Sequence, residues 1–475
     1  MVMLAPDENI GEVQLRGFGL VFPEKLMQES AVSEFNGLEF REFRLHQFYI
    51  LTSSGQFVQK QPVMTVNRGA RLIDLPSNRP HNPRAVAENG TSLQRPSMAG
   101  LFLTFLRLGA TAFGGLAVIE YFRKVLGRQK HWIDDRSFNY GAAISQALPG
   151  PPTAKMATYI GLRAAGPLGA SLALVSYVLP TFVLMLLLSA FYGRADHLRS
   201  AGAIFSGLQV CILAIVVDAT FAFGIPLARR FRELVIALAA AVLFMLKLHP
   251  ILVIVLSGLL GGLIYDREPF RELNTGSGRG RYPAKAVALL LTFLFLCMAA
   301  MFLLDRKLFT LALSMLRIGF FSFGGGFGAI PLMFHEVVYK YQWLDTPTLL
   351  NGIALGQITP GPISITATFI GYKVAGFSGA CVSTIAIFYP TLLLTVSAVP
   401  YFDRLTGSRL FNKAVGGVLC SFAGLFLSVA VQIGRQISWD MNHALLGLAA
   451  LLALRLKLDI ILVVLAGLVI SILIF

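Results

Sequence analysis

Two stretches of this chain, SQALPGPPTAKMATYIG at residues 145–161 and GQITPGPISITATFIG at residues 356–371, carry a Pro-Gly-Pro element within an apolar sequence. Proline lacks a backbone N–H and suits the first turn of a helix, so each element predicts that one helix ends and another begins. The new helix start presents unpaired N–H groups and the positive end of a helix dipole, which favour an anion. Each element therefore predicts a helix break that can bind an anion, with a simple packing kink as the alternative.

The composition around these elements is that of a membrane protein. The 475 residues are 55% hydrophobic and only 14% charged, whereas soluble domains carry roughly 25% charged residues. This composition excludes an ordinary soluble enzyme, a disordered regulator and a disulfide-stapled secreted domain. The net charge of +15 falls in short loops between apolar segments, which favours a multi-pass protein of the cytoplasmic (inner) membrane over a nucleic-acid-binding protein.

The chain also repeats itself at an offset of 210 to 211 residues. Arg107 and Phe113-Gly114-Gly115 recur as Arg317 and Phe323-Gly324-Gly325, and the two Pro-Gly-Pro elements keep the same register. The repeat divides the chain into an N-terminal extension (1–97, with a flexible linker at 76–97), a first repeat (98–265), a linker (266–307, with a transmembrane helix at 286–304) and a second repeat (308–475). The extension is a small domain, a disordered tail or the product of a misassigned start, and the sequence leaves these alternatives open.

The loops of the two repeats differ in charge. Loop 120–136 contains five Lys or Arg residues and loop 330–347 contains one, while loop 225–233 contains three and loop 435–443 contains one. Loops rich in Lys and Arg face the cytoplasm, and only the loops of the first repeat are rich in these residues. We therefore expect the equivalent loops of the second repeat on the opposite side of the membrane. We therefore predict an all-α polytopic membrane protein, with two inverted-topology repeats joined by a linker transmembrane helix, a common plan among transporters.

Two arrangements of the crossings stay open. In one, all six apolar segments of a repeat span the bilayer, which places the arginines of loop 225–233 outside. In the other, segments 99–119 and 137–160 are broken or re-entrant helices at the FGG and PGP motifs, and the positive loops all face inward. The charge distribution favours the second arrangement.

Side chains near the helix breaks supply the predicted anion site. An intramembrane arginine is costly, and its planar guanidinium suits bidentate contact with an oxyanion, although snorkelling to the interface is the alternative. The predicted anion-binding residues are Arg107, Arg317, Gln146, Gln357, Gly150, Pro151, Thr153, Lys155, Thr359, Gly361, Pro362, Ser364 and Thr366.

Consecutive glycines predict a second helix break or close helix packing. The residues assigned to this break and to gating are Phe113, Gly114, Gly115, Phe323, Gly324, Gly325 and Gly326. Asp218, late in an apolar segment, carries a coupling proton or pairs with a nearby arginine, and both interpretations stay open. The sequence predicts no catalytic residue, metal site or cofactor.

These motifs resemble the chromate ion transporter family in its long, two-copy form. The resemblance is carried by FSFGGGFGAIPLMFHEVV (321–338) and WLDTPTLLNGIALGQITPGPISITATFIGYKVAG (343–376), and by FLRLGATAFGG (105–115) and SQALPGPPTAKMATYIGLRAAG (145–166). It covers residues 98–475. It implies a secondary transporter that exports chromate, a divalent tetrahedral oxyanion, from the cytoplasm, driven by the proton gradient or the membrane potential.

Two other functions stay open. One is a transporter of sulfate or another oxyanion, with inward transport as a further alternative. The other is a membrane-embedded enzyme acting on a lipid phosphate, for which His335, Glu336 and Asp345 are the candidate residues. The expected partners are a chromate-like or sulfate-like oxyanion and the lipid bilayer, with a homodimer as a candidate assembly.

Overall fold

The computed structural model describes four short strands and most residues from 96 onward. The described ranges are 12–14, 21–23, 49–51, 57–59, 96–112, 117–195, 199–228, 231–246, 248–264, 284–323, 326–402 and 408–474. The unit Met1–Asn78 contains two antiparallel pairs, β1 (Glu12–Gln14) with β2 (Val21–Pro23) and β3 (Tyr49–Leu51) with β4 (Phe57–Gln59). Most of the predicted linker at 76–97 lies outside the described residues.

The regular secondary structure in the described part of the first repeat is helical. A π-helical turn, Arg123–Gln129, extends the second helix. The helices are α1 (Met98–Thr111), α2 (Ala117–Phe122), α3 (Asp135–Ala147), α4 (Pro152–Ala195), α5 (Arg199–Ala228), α6 (Phe231–Met245) and α7 (Pro250–Ile264).

The linker helix α8 (Ala284–Leu304) leads into a second repeat with the same order of elements. Short 3-10 turns at Gly326–Gly328, Ile363–Ile365 and Val399–Tyr401 and a π-helical turn at Phe334–Lys340 accompany its helices. The helices are α9 (Arg306–Phe321), α10 (Ala329–Met333), α11 (Thr346–Ile358), α12 (Thr366–Ala398), α13 (Arg409–Gly434), α14 (Met441–Arg455) and α15 (Ile460–Ile474).

Five helical segments of the described chain are long and apolar enough to cross a membrane, namely Pro152–Tyr192, Ser206–Leu227, Ala284–Leu304, Ile363–Tyr401 and Arg409–Gly434. This confirms an all-helical membrane part. The linker helix α8 stands apart from the other four, because none of its residues is buried in the protein.

Both longest helices are kinked at an Ala-Gly pair. In α4 the kink lies at Ala165 and Gly166 (φ 69°), and in α12 it lies at Ala375 and Gly376 (φ 61°). A positive φ suits glycine because it has no Cβ. The kinks lie close to the start of two runs without charged residues, 164–193 and 374–402. Each long helix therefore consists of a short piece after the Pro-Gly-Pro element and a longer, membrane-length piece.

The two repeats exchange their C-terminal hairpins. Helix α5 of the first repeat packs against α14 and α15 of the second, while α13 of the second packs against α6 and α7 of the first. Glycines permit both approaches, since Gly207 on α5 lies against Ser471 and its counterpart Gly417 on α13 lies against Ser257. Reciprocal contacts of this kind are those of a two-fold relation between equivalent units.

The exchange predicts opposite effects for two helical Gly→Ala variants. In Gly417→Ala the new Cβ would overlap the Ser257 carbonyl of α7, so we expect a loss of about 1–3 kcal/mol from overpacking. In the control Gly224→Ala the Cβ meets nothing within 4 Å, so better helix propensity should add about 0.5–1 kcal/mol. Thermal unfolding in detergent measures both, and a Gly417→Ala protein as stable as the control would contradict this packing.

Candidate functional site

Each Pro-Gly-Pro element separates two helices. Helix α3 ends at Ala147 and α4 begins at Pro152, while α11 ends at Ile358 and the next helical turn begins at Ile363. The central glycines have φ of 105° at Gly150 and 103° at Gly361. A side chain at either position would be strained, so the glycines are required by the backbone of the break.

The other repeat holds each break in place. The Gly150 N–H donates to the Ser322 carbonyl (2.7 Å), just after α9, and the Gly361 N–H donates to the Ala112 carbonyl (2.8 Å), just after α1. Both glycine amides, predicted to face an anion, are thus engaged in bonds between the repeats. The prediction missed this use because a local motif carries no information about its long-range partner.

Threonines of the other repeat cover the same glycines. The Thr181 hydroxyl donates to the Pro360 carbonyl at 2.6 Å, and a Cβ on Gly361 would lie 2.5 Å from its oxygen. In the reciprocal contact, a Cβ on Gly150 would lie 2.9 Å from the Thr391 hydroxyl oxygen. The recurrence of Pro-Thr at 180–181 and 390–391 was a visible signal for this contact.

One cavity of about 420 Å³ brings the two breaks together. Since a water molecule takes roughly 30 Å³ in the liquid, the cavity has room for a tetrahedral oxyanion and several waters. Its wall contains Gln146, Pro151 and Thr153 of the first repeat and Gln357, Thr359, Gly361 and Pro362 of the second, all of them predicted site residues.

Hydrogen-bond donors are available along this wall. The first N–H groups of a helix have no acceptor within the helix, and α4 begins at the wall with Pro152 and Thr153. Gln357 is 7% exposed and its amide nitrogen is buried with no hydrogen-bond partner. A buried donor without an acceptor costs about 1–3 kcal/mol, so a bound anion that accepts from it would recover this energy.

Other predicted residues lie outside this wall. Lys155 is buried, and its ammonium donates to the Leu148 carbonyl at the end of α3. Its counterpart Thr366 is also buried and donates to the Ile363 carbonyl at 2.9 Å. Ser364 and Gly150 also lie outside the wall. The Lys155 and Thr366 side chains thus bond to the backbone around the breaks.

The two arginines also lie outside the wall of the large cavity. Arg107 is exposed, an environment that suits the snorkelling alternative. Arg317 is half-buried and lines a much smaller cavity together with His249, His335 and Glu336. The repeat thus places the same residue type in two different surroundings.

The small cavity contains a cluster of titratable groups. Glu336 is 4% exposed and lies 3.5 Å from His249 Nε2, 3.8 Å from His335 Nδ1 and 3.1 Å from Lys340 Nζ. Two imidazoles and a carboxylate form a ligand set that metals such as zinc accept, and their ligand atoms lie within 4.8 Å of one another. Lys340 already pairs with Glu336 and Arg317 lines the same space, so the local positive charge opposes a cation.

Several predicted gating residues, Phe113, Gly114, Gly115, Gly324 and Gly325, lie outside the described residues. Gly326 lines the large cavity, and a Cβ there would lie 3.5 Å from Ile363, next to the second Pro-Gly-Pro element. Phe323 is half-buried beside Phe422, with ring centroids 6.4 Å apart. The described part of the second FGG element thus adjoins the helix break.

Asp218 forms an ion pair with Arg455 of the other repeat, at 3.6 Å between Oδ1 and the guanidinium nitrogen. This contact fits the pairing interpretation, and a coupling role stays a prediction. Among the wall residues that sequence reasoning missed, Tyr177 and Asp459 are the two with polar side chains. The Tyr177 hydroxyl interacts with the Thr153 side chain but makes no hydrogen bond of ordinary length and angle.

The family model of the chromate transporter matches both repeats, at residues 99–262 and 309–472. The chain belongs to the chromate transporter family. As a member of this transporter family with several membrane-length helices, it is a multi-pass membrane protein.

Relatives of this chromate transporter family member align with most of its length. An uncharacterised transporter of Methanocaldococcus jannaschii is 38% identical over 381 residues, which is 80% of this chain and 95% of the relative. A chromate transport protein of Cupriavidus metallidurans is 31% identical over 75% of this chain and 87% of its own length. A chromate transport protein of Pseudomonas aeruginosa is 28% identical over 82% of this chain and 95% of its own length. No solved structure shows a significant match.

The unpartnered Gln357 amide predicts a gain in stability when it is removed. Without an added anion, Gln357→Leu should leave the free energy of unfolding unchanged or raise it by about 1 kcal/mol, because the buried unsatisfied donor disappears. The matched control is Gln432→Leu, which removes an amide that donates to the Ser428 hydroxyl at 3.0 Å and should destabilise by about 1 kcal/mol. Thermal unfolding in detergent compares them, and a Gln357→Leu loss as large as the control's would argue against an unsatisfied donor.

Proposed function

We propose that this chain is a secondary transporter of chromate and that the large cavity is its anion site. The observation that carries the proposal is the joint wall, in which the helix breaks of both repeats and the buried Gln357 donor surround one space. Helix N-termini favour anions through unpaired N–H groups and the helix dipole. The printed names of two relatives, chromate transport proteins, support chromate as the anion.

In this proposal the two repeats have inverted topology. The difference in loop charge between the repeats and the linker helix between them support opposite orientations. The reciprocal hairpin exchange supports a two-fold axis, which would lie in the membrane plane. The interrupted segments around the FGG and PGP motifs would be re-entrant, since irregular backbone at membrane depth needs a cover of protein or a wet cavity.

The proposed direction is export across the cytoplasmic membrane. A cell that is negative inside favours the exit of an anion by about 2.3 kcal/mol per charge per 100 mV. The membrane potential alone therefore supplies a driving force, and the proton gradient is the second candidate. Asp218 remains the sequence-based candidate for proton coupling.

The two arginines that the sequence predicts to bind the anion lie outside the wall of the large cavity. We assign Arg107 and Arg317 to the path of the anion toward the site, where positive charge raises the local anion concentration. The exposed apolar surface of α8 would face lipid or a second copy of the chain in a homodimer.

Sulfate or another tetrahedral oxyanion is the second candidate substrate, because helix N-termini recognise charge and shape that these ions share. The lipid-phosphate enzyme has less support. Asp345, one of its three candidate residues, is the N-cap of α11 and accepts from the Thr348 N–H at 3.0 Å.

Transport by everted membrane vesicles tests the function. We expect chromate uptake into everted vesicles that contain the chain, because everted uptake corresponds to export. An imposed potassium-diffusion potential, positive inside the vesicle, should accelerate it, and collapsing only the pH gradient separates the two driving forces. Vesicles without the chain are the control. Equal chromate uptake by both preparations would refute the proposal, and preferential sulfate uptake would favour the second candidate.

The two arginines can be tested in the same assay. Arg107→Ala and Arg317→Ala should abolish transport while the protein still inserts into the membrane, because each removes a positive charge from the proposed path. Arg163→Ala, at an exposed position outside the cavity wall, is the matched control. Wild-type uptake by both variants would restrict these arginines to structural roles.

A further inference from the structure

The wall of the large cavity includes one carboxylate, on the exposed side chain of Asp459. Among the described residues of its wall, Asp459 is the one with a formally charged side chain. A carboxylate repels an anion at short range, so its presence in an oxyanion cavity needs a chemical reason.

Capping a helix accounts for part of its role. Asp459 stands between α14 and α15, and its Oδ1 accepts a hydrogen bond from the Ile461 N–H at 3.1 Å. A carboxylate has about four acceptor sites, so this bond leaves acceptor capacity on the Asp459 side chain. Within the described chain, Asp459 has no ion-pair partner, unlike Asp218 with Arg455.

The repeats differ at this position. Leu456-Lys457-Leu458-Asp459 corresponds to Leu246-Lys247-Leu248-His249 in the first repeat. His249 lies in the separate small cavity, 3.5 Å from Glu336. The carboxylate therefore belongs to one repeat only, which makes the wall of the large cavity chemically asymmetric.

An ionised carboxylate only accepts hydrogen bonds. Hydrogen chromate carries a proton that dissociates near neutral pH, so its hydroxyl can donate to a carboxylate in a short, charge-assisted bond. Sulfate is fully ionised at physiological pH and has no proton to donate. A carboxylate in the site would thus stabilise hydrogen chromate and repel sulfate. The site would discriminate between the two ions through an unfavourable contact with sulfate.

We propose that Asp459 is a specificity-determining residue, which selects tetrahedral oxyanions that carry a proton and rejects sulfate. This inference rests on the proposed function and names its substrate class, singly protonated oxyanions such as hydrogen chromate and hydrogen phosphate. The rest of the wall fits such an ion. Gln357, Thr153 and the start of α4 offer donors for the bare oxygens, and Asp459 offers the acceptor for the hydroxyl.

Competition in the chromate-transport assay tests this role. In Asp459→Asn the side chain still caps a helix, loses its charge and gains an N–H₂ donor, so the sulfate concentration that halves chromate uptake should fall by about tenfold or more. Inhibition by phosphate should change in the opposite direction, because its hydroxyl loses the negatively charged carboxylate as its acceptor. Asp459→Glu, which keeps the carboxylate, should keep the wild-type resistance to sulfate.

A second capping aspartate provides the matched control. Asp305 is exposed and caps α9 through the Lys307 and Leu308 N–H groups, and it does not line the cavity. Asp305→Asn should keep the wild-type response to both competitors. Asp459→Ser, which caps without a charge or an amide, should also become sensitive to sulfate, so the result does not depend on one variant.

The outcomes separate this inference from the proposed function. If wild-type vesicles transport chromate and Asp459→Asn keeps the wild-type resistance to sulfate, the role of Asp459 is wrong and the function stands. If wild-type vesicles do not transport chromate, the proposed function fails and the inference fails with it. Greater sulfate sensitivity in Asp459→Asn and Asp459→Ser, with Asp305→Asn unchanged, supports the inference.

Discussion

Two backbone hydrogen bonds between the repeats, from Gly150 N–H to the Ser322 carbonyl and from Gly361 N–H to the Ala112 carbonyl, determine the arrangement of the cavity. A chain that leaves the helical conformation in an apolar environment must find partners for its backbone groups. Here each break finds its partner where a helix of the other repeat ends. The bonds therefore fix the distance between the two interrupted helices, and the space between them becomes the shared cavity.

Because of this constraint, some polar groups around each break bond to the backbone and others are left to face the cavity. At each break the glycine amide bonds to the other repeat and a threonine of that repeat covers the glycine. At the first break, Lys155 also binds the Leu148 carbonyl at the end of α3. With these backbone groups engaged, the donors left at the cavity are the start of α4 and the side chains of residues such as Thr153 and Gln357. Structural stability and the proposed recognition of an anion thus use different atoms of one motif.

The sequence predicted features with local causes. Pro-Gly-Pro stops a helix because proline lacks an N–H and glycine accepts a positive φ, so the breaks could be located, and the repeat showed which residues correspond. Seven of the predicted anion-site residues line the cavity. The environments of Arg107 and Arg317 could not be read from the sequence, because equivalent residues face different neighbours. Asp459 was missed because its turn reaches the cavity through the packing of α15, far along the chain from either motif.

The exchange of hairpins has a consequence for how such a protein can arise. Because α5 and α13 each pack on helices of the opposite repeat, an isolated repeat would expose those helices and enclose only part of the cavity. A polypeptide with a single repeat would need a second subunit to complete the same structure. Fusion of the two replaces a concentration-dependent association with a permanent one. Fusion also allows the two repeats to differ in sequence, so that a mutation can alter one repeat alone, as the histidine at position 249 and the aspartate at position 459 illustrate.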